Sequence, residues 1–363
     1  MYKVKVLGAG SIGNHLAHAS RCMGWQVAIC DIDPAALERT RTEIFPERYG
    51  AWDDAIELYP AQDAPKAVYD LIVVGTPPDH HVDLAIEAIG EGPRAVLVEK
   101  PVCGPDLARA QELFSLAAER GVTVFAGYDH VVGAAARSAL TKARGLHRLE
   151  TLDVEFREHW GGIFAAHPWL SGPQDSYLGF WQRGGGASGE HSHAINLWQH
   201  FTRELGAGRV TEVTASLDYV KTDLVDYDRL CLLNLRSEAG LIGRVVQDVV
   251  TAPPRKWARI QGDDGYVDLS IGFQPGRDAV AWQLGDAAPD SETIEKTRPD
   301  DFIAELRHIE AVLEGRDASD ILRLDRGLDT MLVVAAAHVS ATERRSVAID
   351  YSVGYCPDAL RTA

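Results

Sequence analysis

The chain has 363 residues, more than a single core usually holds, so two domains are expected. Its 46% hydrophobic and 25% charged residues suit a globular protein, and a formal net charge of −17 argues against a nucleic-acid partner, whose phosphates need clustered Lys and Arg. Five scattered cysteines without a Cys-x-x-Cys pair exclude a disulfide framework and a thiolate zinc site, and fit a reducing, cytoplasmic setting. No apolar run approaches the ~20 residues that span a bilayer, so no membrane partner is expected. A strand expected from residue 2 leaves no signal peptide ahead of it.

Tyr2 to Leu7 alternates as a strand and runs into Gly8-Ala9-Gly10-Ser11-Ile12-Gly13, followed by helical sequence from Asn14 to Met23. Strand, glycine loop and helix in that order form a dinucleotide fingerprint: Gly8 for the turn, Gly10 for close approach of a pyrophosphate, Gly13 for helix–strand packing. The amides of Ser11 and Ile12 belong to the same loop. A second strand, Gln26 to Cys30, ends in Asp31, whose carboxylate would accept hydrogen bonds from the adenosine ribose and repel a 2′-phosphate. Ile32 rather than Arg follows, which favours NAD over NADP. The alternative is a strand–turn–helix without a cofactor.

The βα pattern continues. Tyr69 to Val74 is a buried strand ending in Gly75-Thr76-Pro77-Pro78, and a helix through His81, Leu84, Ala85, Ala88 and Ile89 follows. The run Ala95-Val96-Leu97-Val98 stops at Glu99-Lys100-Pro101, as a buried parallel strand does where it opens into a ligand crevice. A partly desolvated lysine there would be drawn toward the working pH of a general base, and Pro101 limits its backbone. Taken alone, these residues read more readily as a plain strand end with both charges solvated, and the chain that precedes them shifts the balance. A helix is expected from Pro105 to Arg120, then a short strand from Val122 to Ala126 leading into Gly127-Tyr128-Asp129-His130. Repetition of strand and helix predicts a parallel doubly wound sheet that gathers Thr76, Pro77, Lys100, Tyr128 and His130 on one rim.

These residues resemble the glucose–fructose oxidoreductase / inositol dehydrogenase family (Gfo/Idh/MocA): the glycine loop, the Thr-Pro turn with His81 five residues after Thr76, Glu99-Lys100-Pro101, and Gly127-Tyr128. The resemblance implies a Rossmann domain over 1–128, with Glu99, Lys100, Thr76, Pro77 and His81 near the cofactor NAD. It implies an α+β domain over 129–363 with a large open-faced, mostly antiparallel sheet for substrate and often for oligomer contacts. Helices about 320–345 would return to the first domain. Lys100 would polarise or deprotonate the substrate hydroxyl. Val131 and Ala134 stand where the family often has Arg and Pro.

After a short basic helix, Leu149 to Phe156 alternates as a strand. His159-Trp160-Gly161-Gly162, His167-Pro168-Trp169-Leu170, Tyr177, Phe180, Trp181 and Arg183 then form an aromatic, Gly/Pro-rich segment. It suits either a sugar site, with ring faces against C–H faces and imidazoles on hydroxyls, or a cover over the sheet or a subunit interface. The run Gly184-Gly185-Gly186-Ala187-Ser188-Gly189-Glu190-His191-Ser192-His193-Ala194-Ile195-Asn196 resembles the family's glycine run, with His193 on its catalytic histidine. Gly189 stands where many members have Asp, and Glu190 is the supporting acid. At helical spacing Glu190, His193 and Asn196 are neighbours. A metal held by Glu190, His191 and His193 is not expected, because His-x-His on a helix aims its rings to different sides.

From Val210 to Leu269 strands follow one another, with a hairpin at Asp263-Asp264-Gly265, and two helices are expected from Pro299 and from Asp325 to Thr342. The expected activity is NAD-dependent oxidation of a secondary hydroxyl on a sugar, sugar derivative or cyclitol, by a cytoplasmic homo-oligomer. Lys100 and His193 are the catalytic pair, and Tyr128, His159, Trp160, His167, Trp169, Arg183, Glu190 and Asn196 the substrate contacts. Two alternatives stay open: a hydrolase or lyase that oxidises its substrate transiently with held NAD, and a non-catalytic NAD-binding sensor.

Overall fold

The computed structural model describes residues 1–165, 167 and 169–362, so Pro168 of the aromatic segment lies outside the described residues. The chain packs into two compact units. The first comprises Met1–Cys103, Arg109–Asp129 and Pro299–Gly327; the second comprises Gly104–Ala108, His130–Arg298 and the chain from Leu328 onward.

In the first unit β1 (Lys3–Leu7), β2 (Gln26–Asp31), β3 (Ile56–Pro60), β4 (Leu71–Val74), β5 (Ala95–Glu99) and β6 (Thr123–Gly127) form one sheet in the order β3-β2-β1-β4-β5-β6. All its pairings are parallel. Leu71 to Val74 and Ala95 to Val98 are wholly buried, as strands covered by helices on both faces must be. The strand order turns back between β1 and β4, so their carboxyl ends form the switch point where doubly wound sheets bind ligands.

Helices α1 (Ser11–Cys22), α2 (Pro34–Arg39), α3 (Phe45–Tyr49), α4 (His81–Gly90) and α5 (Ala110–Arg120) connect these strands. The helix expected from Pro105 begins only at Ala110, because Leu107 and Arg109 hold φ values of 55° and 56°, outside any right-handed helix.

The second unit holds α6 (Ala134–Ala143), β7 (Leu149–Arg157), α7 (Trp160–Ala165), α8 (Gly186–Glu190), α9 (His193–Glu204) and the strands β8 (Val210–Lys221), β9 (Asp226–Ser237) and β10 (Ile242–Asp248). Then come β11 (Arg255–Gly262), β12 (Gly265–Gln274), β13 (Arg277–Leu284) and β14 (Asp290–Glu295), so strands continue well past Leu269. Helix α10 (Asp300–Leu313) belongs to the first unit, and α11 (Leu324–Glu343) enters the second at Leu328. Strands β15 (Val347–Ile349) and β16 (Leu360–Thr362) complete a ten-stranded sheet ordered β14-β13-β12-β11-β7-β10-β9-β8-β15-β16. The pairings are antiparallel except β7 with β10.

Along β7, Leu152, Val154 and Phe156 are buried while Thr151, Asp153 and Glu155 are half-exposed, the period of two that marks one covered face. Trp198 of α9 fills that covered side: it is fully buried, and its indole N–H donates to the Leu152 carbonyl at 2.9 Å. No helix among the described residues is long and apolar enough to cross a membrane.

Trp198→Ala removes both the ring and the bond. Urea unfolding should show a loss of about 3–5 kcal/mol, whereas a loss below ~1 kcal/mol would mean that the ring does not hold α9 to the sheet.

Candidate functional site

The glycine loop is tied from behind. Asn14, fully buried on α1, donates to the carbonyls of Ala9 (3.0 Å) and Gly10 (2.7 Å), and buried Thr40 donates to Ala9 O at 3.1 Å. Its carbonyls thus engage the protein, while Gly10 is the N-cap of α1 and no side chain caps the helix's first amides. Uncapped helix amides suit a phosphate. A Cβ on Gly13 would collide with the Gly8 carbonyl, whereas one on Gly10 would meet nothing within 4 Å, so Gly10 leaves open space.

Asp31, at the end of β2, accepts from the amides of Ala9 (2.7 Å) and Asp33 (2.8 Å), which fixes its carboxylate beside the loop. Its further lone pairs are the acceptors a ribose diol needs. On these observations the residues fit a dinucleotide. Asn14 and Thr40 were not read from the sequence, because their role depends on contacts across 26 to 31 residues.

At the ends of β4 and β5 the turns are coupled by His81. The ring is buried, with Nε2 2.7 Å from the Thr76 carbonyl and Nδ1 2.9 Å from the Pro101 carbonyl. Burial pushes its pKa down to about 4, against the pull of the two carbonyls; a neutral ring has one N–H, so it donates to one carbonyl at a time while standing between the Thr76-Pro77 and Lys100-Pro101 turns. The sequence places His81 and Glu99 at the cofactor. Both side chains are interior. Tyr128, expected to touch substrate, is also buried, packed toward Gly327. Thr76 and Lys100 are half-buried, and Pro77 is exposed.

Beneath Lys100 lies a group of acids that the sequence analysis missed. Glu99 and Asp129 are buried, and Glu305 of α10 is fully buried with no hydrogen-bond partner on either carboxylate oxygen among the described residues. Gly127 makes the room, since a Cβ there would lie 2.8 Å from the Glu99 carboxyl. Burial first, and the Asp129 charge second, push Glu99 up to about 8; the Lys100 amide, donating at 3.2 Å, works against the rise. Burial, then Glu99, Asp129 and Asp301, hold Glu305 well above the usual carboxyl range. One sequence signal was available: Glu305 lies on the same helical face as Phe302, Leu306 and Ile309.

In the second unit the glycine run does not form one helix. Helix α8 ends at Glu190, His191 and Ser192 break the path, and α9 starts at His193, so Glu190 and His193 are not neighbours on a continuous helix. His193 is half-buried and stacks face to face on His130 at 4.3 Å with Phe156 behind, which fixes its ring plane. Asn196 is buried and donates to Thr330 Oγ1 at 3.0 Å, so it braces α11 rather than facing open space.

Most of the aromatic segment serves its own packing. Trp160 is buried against Phe164 and Tyr227, His167 donates from Nδ1 to the Ile163 carbonyl at 2.7 Å and meets Trp169 edge-on, and Arg183 lies over Phe180. His159 is exposed, with Nδ1 accepting from the Gly161 amide at 2.9 Å, and Glu190 is half-buried at the end of α8.

The doubly wound sheet, the glycine loop and Asp31 define an NAD-binding Rossmann domain. Residues 2–128 match the GFO_IDH_MocA family model, described as "Oxidoreductase family, NAD-binding Rossmann fold". The match covers the first of the two domains, where the chain is similar to the Gfo/Idh/MocA oxidoreductases.

No curated protein matches the chain. Solved structures share its fold along nearly its whole length. GenD2 from gentamicin A biosynthesis, in complex with NAD, is 20% identical with a TM-score of 0.73, covering 96% of each chain. Aldose-aldose oxidoreductase from Caulobacter crescentus, complexed with glycerol, is 21% identical with a TM-score of 0.74, covering 96% of this chain and 99% of the other. Levoglucosan dehydrogenase, in complex with NADH and L-sorbose, is 17% identical with a TM-score of 0.75, covering 96% and 98%.

The buried acids give a signed pH effect. Glu305 binds its proton more tightly folded than unfolded, so stability falls as pH rises above the ordinary glutamate value of ~4.3. Glu305→Gln does not titrate, and its melting temperature should gain on wild type between pH 5 and pH 8. Thermal melts at both pH values check this, and an equal difference at each would contradict it.

Proposed function

We propose that the protein is an NAD-dependent dehydrogenase that moves a hydride between NAD and a secondary hydroxyl or ketone of a sugar, sugar derivative or cyclitol. The observation that carries this reading is the end of β5, where half-buried Lys100 stands above buried Glu99 in a turn held by His81, within a domain of the NAD-binding family. Bound nicotinamide supplies the hydride acceptor. Asp31 orients the adenosine ribose and discriminates against a 2′-phosphate. Lys100 lowers the barrier to loss of the hydroxyl proton, and His193 holds or relays that proton with its ring set by His130. Neighbours crystallised with L-sorbose and with glycerol support a polyol-type substrate.

The test mixes purified protein and NAD with a panel of sugars, glycosides, inositols and nucleotide sugars, following NADH absorbance and product mass together. NADH growth with one class confirms the dehydrogenase and names its substrate. Product without NADH would instead indicate cleavage by transient oxidation.

Lys100→Ala should cut turnover by roughly 10²–10⁴-fold with NAD affinity retained, and unchanged turnover would remove Lys100 from the chemistry. Asp31→Ala should move the NAD-to-NADP preference toward NADP by about tenfold or more, which is ~1.4 kcal/mol, as read by titration with each reduced cofactor. An unchanged ratio would contradict the role of Asp31.

A further inference from the structure

Behind the glycine run, the second unit holds a chain of four polar side chains, three of them buried and Tyr219 half-buried. Asp228 of β9 is fully buried, and its Oδ2 accepts from the Ser188 amide at 2.7 Å while its Oδ1 accepts from the Ser188 hydroxyl at 3.0 Å. Ser188 Oγ lies 3.0 Å from Nε2 of buried His338 on α11, and His338 Nδ1 lies 2.7 Å from the Tyr219 hydroxyl on β8. Trp181 stacks on the imidazole at 4.3 Å. Helix α8 is also held from its carbonyl side, where Gln247 Nε2 reaches Ala187 O at 3.4 Å and Ser188 O at 3.5 Å. Gly186, at φ 72°, lets the backbone pass over Asp228, and any Cβ there would overlap Oδ1.

Donor counting orders the chain. A hydroxyl has one proton, so when Ser188 donates to ionised Asp228 it must accept from His338. His338 then carries its proton on Nε2, and Nδ1 accepts from Tyr219. Burial supports this order, pushing His338 down to about 3 and so keeping it neutral, and holding the Tyr219 phenol above its usual range. Burial also pushes Asp228 up to about 7. Beyond burial, Asp228 acts on the Tyr219 phenol and the Cys231 thiol, raising both, and neither they nor neutral His338 bring a positive charge to it.

The geometry points to Asp228 as a positioning residue: it fixes α8 through Ser188, and through α8 it sets the start of α9 where His193 projects, its charge ordering the chain from Tyr219 through His338 and Ser188. The link is continuous in the backbone, since the His191 amide donates to Ala187 O at 3.1 Å, that of Ser192 to Gly189 O at 3.2 Å, and that of Ala194 to His191 O at 2.9 Å. The inference rests on the assignment of His193 to the reaction, but its test reads the imidazoles directly.

Imidazole ¹⁵N NMR of the whole protein at pH 8.5 should show His338 as the Nε2–H tautomer. Asp228→Asn keeps an oxygen for the Ser188 amide and presents NH₂ to its hydroxyl, so it should reverse the chain and give the Nδ1–H tautomer. Asp228→Ala should shift the His193 ring signals, and Asp228→Asn should return them to their wild-type positions. An Nδ1–H tautomer in wild type, the same tautomer in wild type and Asp228→Asn, or unmoved His193 signals in Asp228→Ala would each overturn the proposal. Where Asp228→Ala does not fold, the tautomer comparison decides. Dehydrogenase turnover plays no part in these readouts, so loss of that activity and failure of the positioning role are told apart.

Discussion

The end of β5 passes from interior to rim within two residues, and much of the first unit follows from that constraint. Glu99 turns inward among other acids, where an unpaired carboxylate would cost several kcal/mol or take up a proton. The surroundings accept it: Gly127 contributes no side chain, and Glu305 is pushed toward its neutral form alongside. Lys100 follows on the half-buried side, and His81 fastens its turn to that of Thr76. Lys100 is the candidate reactive group, and its neighbours are buried strands and a buried imidazole.

The second unit solves a related problem with different means. Its glycine run must lie close against β9, and Gly186 permits that approach while Asp228 anchors Ser188. The break at His191 and Ser192 lets α9 start afresh, so His193 sits in the first turn of a helix rather than in the middle of one. Stacking on His130 then fixes the ring plane. In both units the polar interior positions the backbone, and the candidate reactive side chains stay half-exposed.

The doubly wound sheet was legible because its signals are local: an apolar strand, the glycine loop, a helix, and Asp31 at the next strand end. The open sheet was legible in kind, from strands without intervening helices, but not in extent, since β12 to β14 carry mixed polar residues such as Asp268, Ser270 and Glu292. The partners of the site residues were not legible. Asp228 stands in a polar stretch, Asp226-Tyr227-Asp228-Arg229, where nothing marks one acid as inward. Its partner Ser188 is 40 residues away, and Ser188 meets His338 across 150. The helix expected from Pro105 failed for a backbone reason, the left-handed residues Leu107 and Arg109, which side-chain periodicity does not report.

The most direct measurement of the central claim is isotope transfer. The protein is incubated with NAD and sugars or inositols deuterated at their carbinol carbons, and the cofactor is recovered for mass analysis. A secondary-alcohol dehydrogenase gives NADH heavier by one deuterium, and Lys100→Ala abolishes the gain. Conversion of a substrate with the cofactor left unlabelled would contradict hydride transfer to NAD.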